Sequence, residues 1–183
     1  MARGLAKLGL ALGAGLLTAV MAAGPALAGP TPSADDRPTA TESDGSKVPA
    51  PTRVGTTPTQ PKNEGNGQTV GRALSAHLDG TCNIYSSGTG DLCLWYFSGY
   101  GGSHVDYYFN DYSFWNDVFL SAGTGKGAVV ANNSESAFNY DRIWIAWVYT
   151  STNCSGTGGY ILPWTGGNFV PTFFNNSESL CWT

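Results

Sequence analysis

The chain has 183 residues and a formal net charge of −4. From residue 79 to the C-terminus eight acidic side chains face only Lys126 and Arg142, a net charge of −6. That balance excludes nucleic acid and anionic membrane as partners, because both require a basic face.

Residues 1–28 read as a secretory signal peptide: Arg3 and Lys7 precede a short Gly/Ala-rich apolar run, and Ala26-Leu27-Ala28 is an A-x-A cleavage site. The apolar run is too short for a good membrane span. The expected location is therefore extracellular, with no membrane attachment of the mature form. Residues 29–78 contain Pro30, Pro32, Pro38, Pro49, Pro51, Pro58 and Pro61 and no aromatic residue. Too little apolar surface is available there to offset chain entropy, so a disordered Pro/Thr/Ser/Gly-rich linker or propeptide is expected.

At residue 79 the composition changes. All 23 aromatic residues and all four cysteines lie between Cys82 and Thr183. Residues 79–183 are one core's worth of chain, and a monomer is expected. Export favours two disulfides among Cys82, Cys93, Cys154 and Cys181. Three pairings are open. Cys82–Cys93 with Cys154–Cys181 is favoured, because each bridge then lies within one half of a duplication described below. Zinc would require close Cys or Cys/His clusters, and the spacings are long.

Short aromatic and β-branched runs, separated by Gly, Asn and Ser, point to an all-β sandwich. Strands are expected at 92–97, 105–109, 128–131, 143–150, 160–162, 169–170 and 173–174. The run 143–149 is apolar on both faces and should be central. Gly-rich turns are expected at 98–103, 123–127, 155–159 and 165–167.

Asn132-Asn133-Ser134-Glu135-Ser136 recurs as Asn175-Asn176-Ser177-Glu178-Ser179, 43 residues on. Upstream of the first copy, Trp95, Tyr100 and Gly102 give aromatic-x4-aromatic-x-Gly. Upstream of the second, Tyr149, Cys154 and Gly156 repeat the spacing with Cys in the second aromatic place. A two-part pattern repeated in the same order indicates internal duplication and two packed Greek keys.

Candidate chemistry is sparse. His104 and Asp106 are two apart, but no G-x-S-x-G accompanies them. His77 falls at the linker's end. Glu135 and Glu178 are a possible carboxylate pair, yet their equivalence by duplication argues for shared structure. The reading is therefore not an enzyme, and no catalytic residue is assigned. Gly123-Thr124-Gly125-Lys126-Gly127 lacks the leading Gly and the hydroxyl of a phosphate loop. Trp164, Tyr160 and Trp182 are a minor candidate for sugar stacking, weighed against core packing. Asn132, Asn133, Ser136, Asn175, Asn176 and Ser179 offer hard oxygens for a weak Ca²⁺ site, weighed against ordinary turn hydrogen bonds. No cofactor is required. Exposed loops at 99–103, 121–127 and 150–159 are candidates for presenting a rigid backbone to a partner.

The aromatic-x4-aromatic-x-Gly pattern resembles the folded-hairpin signature of the βγ-crystallin fold. Trp95, Tyr100 and Gly102 match it fully; Tyr149 and Gly156 match it, and Cys154 departs from it. The Asn-Asn-Ser-Glu-Ser copies are similar to that family's calcium motif, except at its sixth place, where Ala137 and Leu180 stand. The Cys82…Cys93-Leu94-Trp95 start, on a secreted two-disulfide domain, also resembles the actinobacterial peptidase-inhibitor family typified by the Streptomyces metalloproteinase inhibitor. That resemblance implies a βγ-crystallin-like sandwich and inhibition of a secreted peptidase, a metalloprotease first of all. It marks no inhibitory loop by motif. The alternatives are an extracellular calcium-binding structural module and a toxin-like or cell-surface binding protein.

Overall fold

The structure, a computed structural model, describes residues 39–43, 45, 47, 49, 53–55 and 78–183, with only the backbone of 53–55. The expected signal peptide, His77 and most of the expected linker lie outside the described residues.

The strands in chain order are β1 (Thr41–Glu42), β2 (Arg53–Gly55), β3 (Asn83–Tyr85), β4 (Leu92–Phe97), β5 (Gly101–Tyr107), β6 (Ser136–Asn139), β7 (Ala146–Ser151), β8 (Ser155–Ile161), β9 (Gly166–Phe169) and β10 (Ser179–Trp182). One sheet has the order β1-β9-β6-β4-β5 and the second β10-β7-β8; β2 and β3 form a small parallel pair. In each half, two hairpin strands are followed by a later strand that returns beside the first: β6 pairs with β4, and β10 with β7. The remaining strand of each half crosses over. β9 joins β6 in the other half's sheet, and Asp111 bridges Leu180 of β10. These exchanges make two interlocked Greek keys, the βγ-crystallin-like sandwich expected from the sequence.

The core lies between the sheets. Leu92, Leu94, Val105, Phe114, Phe119, Val148, Ile161, Phe173 and Leu180 are fully or almost fully buried in one cluster. Cys82, Cys93, Trp95, Phe138 and Tyr140 form a second. The disulfides are Cys82–Cys93 and Cys154–Cys181, with Cα atoms 6.0 and 6.1 Å apart. Each closes one half of the duplication.

Several expected elements differ. The run 143–150 becomes a strand only from Ala146, although β7 is central in its sheet. The Asp141 carboxylate takes the Ile143 and Trp144 N–H groups and folds them into a turn instead. Residues 128–131 contribute a single bridge, Val118 with Val129, and 173–174 form a turn whose Phe173 fills the core. Much of the Gly-rich 155–159 and 165–167 is strand rather than turn. Glycine there answers close packing: a Cβ on Gly159 would sit 2.5 Å from the Phe173 ring.

The expected linker also departs from disorder: β2 pairs with β3, the Pro49 carbonyl accepts from Tyr140 Oη, and the segment around Ala40 packs into the fold. Ala40 is fully buried, and β1 pairs antiparallel with β9. Backbone hydrogen bonds and one methyl group suffice for this, so an aromatic-free composition did not forbid it.

The folded hairpins are held by equivalent serines. Ser136 Oγ donates to the Phe97 carbonyl (2.7 Å) and accepts from Tyr100 N–H (3.1 Å). Ser179 Oγ donates to the Ser151 carbonyl (2.6 Å) and accepts from Cys154 N–H (3.1 Å). Both hydroxyls are buried and their partners part-buried, so removing either leaves a part-buried carbonyl and N–H without their partner. Ser136→Ala and Ser179→Ala should each destabilise the protein by roughly 2 to 4 kcal/mol, by similar amounts, as measured by chemical denaturation.

Candidate functional site

The duplicated pentapeptides face one another across a pseudo-twofold axis. Asn132 N–H donates to the Ser177 carbonyl (3.0 Å), and Asn175 N–H donates to the Ser134 carbonyl (2.9 Å). On the axis the Ser134 and Ser177 hydroxyls are 2.9 Å apart. Asn132 and Asn175 both adopt left-handed backbone, φ 58° and 48°, a region Asn tolerates better than most residues. Glu135 N–H donates to the Trp95 carbonyl and Glu178 N–H to the Tyr149 carbonyl, so each pentapeptide also grips its own hairpin.

Of the six candidate calcium residues, Ser136 and Ser179 are committed to the hairpins. Asn133 Nδ2 donates to the carbonyls of Val129 and Ala131, and Asn176 Nδ2 to that of Thr172. Asn132 is different. Its Nδ2 donates to Glu178 Oε1 (3.0 Å), while its Oδ1 is buried without a hydrogen-bond partner. Glu135, the counterpart of Glu178, reaches Ser98 instead, accepting from its N–H and its hydroxyl. Oxygens suited to a hard cation are therefore concentrated at Asn132 and Glu178. Among the described residues, no group of three or more His, Cys, Asp or Glu is gathered as for a metal.

The fold-motif residues behave as a pair. Trp95 and Tyr100 meet edge to face, ring centroids 5.1 Å apart. Tyr100 (φ 62°) and Cys154 (φ 52°) share the left-handed conformation at the equivalent place, and Gly102 (φ 75°) and Gly156 (φ 76°) follow it. In the second hairpin the Cys154–Cys181 bond stands where the first has an aromatic contact.

His104 and Asp106 do not form a dyad. The Asp106 carboxylate accepts from the N–H groups of Asp79, Gly80 and Thr81. Burial lowers the His104 pKa, and its Nε2 has no hydrogen-bond partner. Trp182 is buried, so it does not share an exposed sugar-stacking face with Trp164. Residues 123–127 form an exposed turn closed by Lys126 N–H to the Gly123 carbonyl.

Loops converge at Asp141. Its carboxylate accepts from the N–H groups of Gly90, Ile143 and Trp144, and its carbonyl accepts from Trp164 N–H (2.8 Å). The turn Leu162-Pro163-Trp164-Thr165 is closed by Thr165 N–H to the Leu162 carbonyl. Trp164 sits at φ 56°, where glycine is the usual occupant of such a turn. The strain is held by packing. Trp164 contacts Phe138 and Tyr140 edge to face, and the Arg142 guanidinium lies 4.6 Å from its ring centroid. Apolar side chains project from this rigid base: Ile143 is 60% exposed and Leu162 45%. The three loops singled out from the sequence did not include this one. Pro at the second turn position was a usable signal, whereas a bulky residue at positive φ is rare enough to be passed over.

Asp111 and Asp117 are neighbouring buried carboxylates. Tyr107 Oη donates to Asp117 Oδ2 (3.0 Å), and Ser113 N–H donates to Asp111 Oδ1 (2.9 Å). Asp111 Oδ2 is buried with no donor in reach. Burial, then the neighbouring Asp117 charge, pushes the Asp111 pKa up to about 8, because two buried carboxylates do not readily ionise side by side. A proton on Asp111 supplies the missing hydrogen bond.

Comparisons with known proteins found no matching family model and no matching curated protein. A solved structure described by the words "Evolution of the eye lens beta-gamma-crystallin domain fold" is similar over 52% of this chain and 86% of its own, at 11% identity and a TM-score of 0.44.

A raised acid pKa stabilises the folded state most when both states are protonated. Its contribution fades between the unfolded value of 3.8 and the folded value of about 8. Asp106, raised by burial, acts in the same direction; His104, lowered by burial, opposes it at acid pH. Denaturation midpoints of the Asp111→Asn variant should therefore fall less between pH 5 and pH 8 than those of the unmodified protein, and the variant should be the more stable at pH 8. Parallel pH profiles for the two would show that Asp111 is ionised in the fold.

Proposed function

We infer that this protein is a secreted, non-catalytic binding module that inhibits a secreted peptidase by placing a rigid apolar turn in its active-site cleft. The observation that carries this reading is the Leu162-Pro163-Trp164-Thr165 turn. A binding loop gains affinity when its conformation is fixed before contact. Here Trp164 is locked in a strained conformation by two rings, a guanidinium and the Asp141 carbonyl, while Leu162 and Ile143 are left facing solvent. Strain of this kind persists only where surrounding packing over-determines it, and it concentrates at sites of recognition. The disulfides suit an extracellular partner. A metalloprotease is the first class to test, on the sequence resemblance.

The second reading is a weak calcium-binding structural module, favoured by the buried, unpartnered Asn132 Oδ1 beside Glu178. One carboxylate and one amide predict affinity at the weak end of extracellular modules.

Titrating the full chain against a thermolysin-type metalloprotease and a subtilisin-type enzyme should abolish the activity of one of them stoichiometrically. Leu162→Asp should weaken that inhibition at least tenfold with little change in thermal stability, since the side chain is half exposed. Full activity of both enzymes at large excess of the chain would remove the inhibitor reading for these classes. For the calcium reading, millimolar Ca²⁺ should raise the melting temperature of the unmodified protein and not that of Asn132→Ala. A melting temperature indifferent to Ca²⁺ rejects it.

A further inference from the structure

We propose that the cleft between the edges of β8 and β9 is a strand-accepting peptide site, whose present occupant, Thr39–Glu42 of the same chain, can be exchanged for an extended peptide supplied in trans. This is independent of the inhibitor reading.

The occupant touches both sheets. Ala40 N–H donates to the Tyr160 carbonyl of β8 (2.8 Å), and the Ala40 carbonyl accepts from Val170 N–H, just beyond β9 (3.0 Å). Thr39 bridges Tyr160 in parallel, while Thr41 and Glu42 pair antiparallel with Phe169 and Asn168. Four residues thus close the gap between two sheet edges. Unpaired sheet edges readily template an added strand, and backbone pairing with a pocket for alternate side chains is an established way of binding extended peptides.

The pocket's chemistry defines the ligand. Ala40 is fully buried within the main core cluster. Its Cα lies 3.1 Å, and the Phe173 ring 2.5 Å, from where a Cβ on Gly159 would stand. Only a small side chain fits. Either side of the anchor, Thr39 and Glu42 are exposed and Thr41 is half-buried. The cleft continues past Glu42 as a groove of about 400 Å³ bounded by Ser98, Asn168, Phe169, Pro171 and Phe174. The expected ligand is therefore an extended segment with Ala or Gly at the anchor, a β-branched residue after it and room for a further apolar side chain.

Recognition through the backbone and one methyl group makes the occupant replaceable. Residues 43–77 connect it to the domain and carry two further attachments, the Pro49 carbonyl accepting from Tyr140 Oη and the β2–β3 pair, so a cut ahead of both leaves the occupant held only by the contacts described. The test uses the full chain with a specific cleavage site introduced between residues 45 and 49, so that the released fragment carries neither Pro49 nor β2. After cleavage, a fluorescent peptide of residues 36–45 should enter the protein to a stoichiometry of one and displace the native fragment. The same peptide with Ala40→Leu should bind at least tenfold more weakly. Equal binding of both peptides, or no uptake of either by cleaved protein that retains its fold, overturns the proposal. Amide exchange in uncut Ala40→Leu protein supplies a second arm. Protection should drop at Val170 and stay unchanged across β4 and β5; unchanged protection at Val170 likewise overturns it.

Discussion

The reciprocal pairing of two pentapeptides is the constraint on which the rest of the structure depends. Asn132 and Asn175 each lend an N–H to the other copy's serine carbonyl, and the Ser134 and Ser177 hydroxyls meet between them. Ser134 and Ser177 are fully buried at the junction of the two halves, where an unpaired donor or acceptor would carry its desolvation cost. Each copy satisfies the other, so neither half can be complete alone. The exchanged strands follow from this: Asp111 reaches Leu180, and β9 reaches β6, on either side of the seam.

The seam also sets the hairpins. Ser136 and Ser179, two residues beyond the axis serines, are thereby delivered to the bends of β4–β5 and β7–β8. The bends need positive φ at Tyr100 and Cys154 and at the glycines after them. A serine that donates to one side of the bend and accepts from the other holds that shape, with the strain of a non-glycine residue offset by two hydrogen bonds and a covalent or aromatic anchor. The anchor differs between the halves. Tyr100 packs on Trp95, whereas Cys154 is tied to Cys181. The same backbone problem has two solutions, one apolar and one covalent, and the second does not require a large core beneath the hairpin.

Much of this was legible in the sequence, for physical reasons that can be named. Repeats of rare local conformations leave a residue signature, so the Asn-Asn-Ser-Glu-Ser copies and the Gly102 and Gly156 bends located both halves and the disulfide pairing. The role of the last serine was not legible. A Ser that caps a hairpin and a Ser that ligates a cation have the same identity and spacing; only the direction of the hydroxyl separates them. Glycine-rich β8 and β9 read as turns because a missing side chain signals either a bend or a close approach, and here Phe173 and the added strand make it the latter. Ala40 left no signal at all: backbone pairing is blind to side-chain composition, and one buried methyl group in a Pro/Thr/Ser-rich stretch has no period.

Comparison of the two halves then separates what serves the fold from what does not. The seam, the serines and the bends are duplicated, and duplication is explained by packing alone. The exceptions are few. Asn132 meets Glu178 while Glu135 turns to Ser98; the strained Trp164 turn and the cleft that takes Thr39–Glu42 both belong to the second half. A strained tryptophan that leaves Leu162 and Ile143 exposed beside it adds cost, and a sheet edge capped by four residues from a distant segment is not needed to pair the pentapeptides. Features that the symmetry neither requires nor repeats lie on loops and edges, where a partner can reach them.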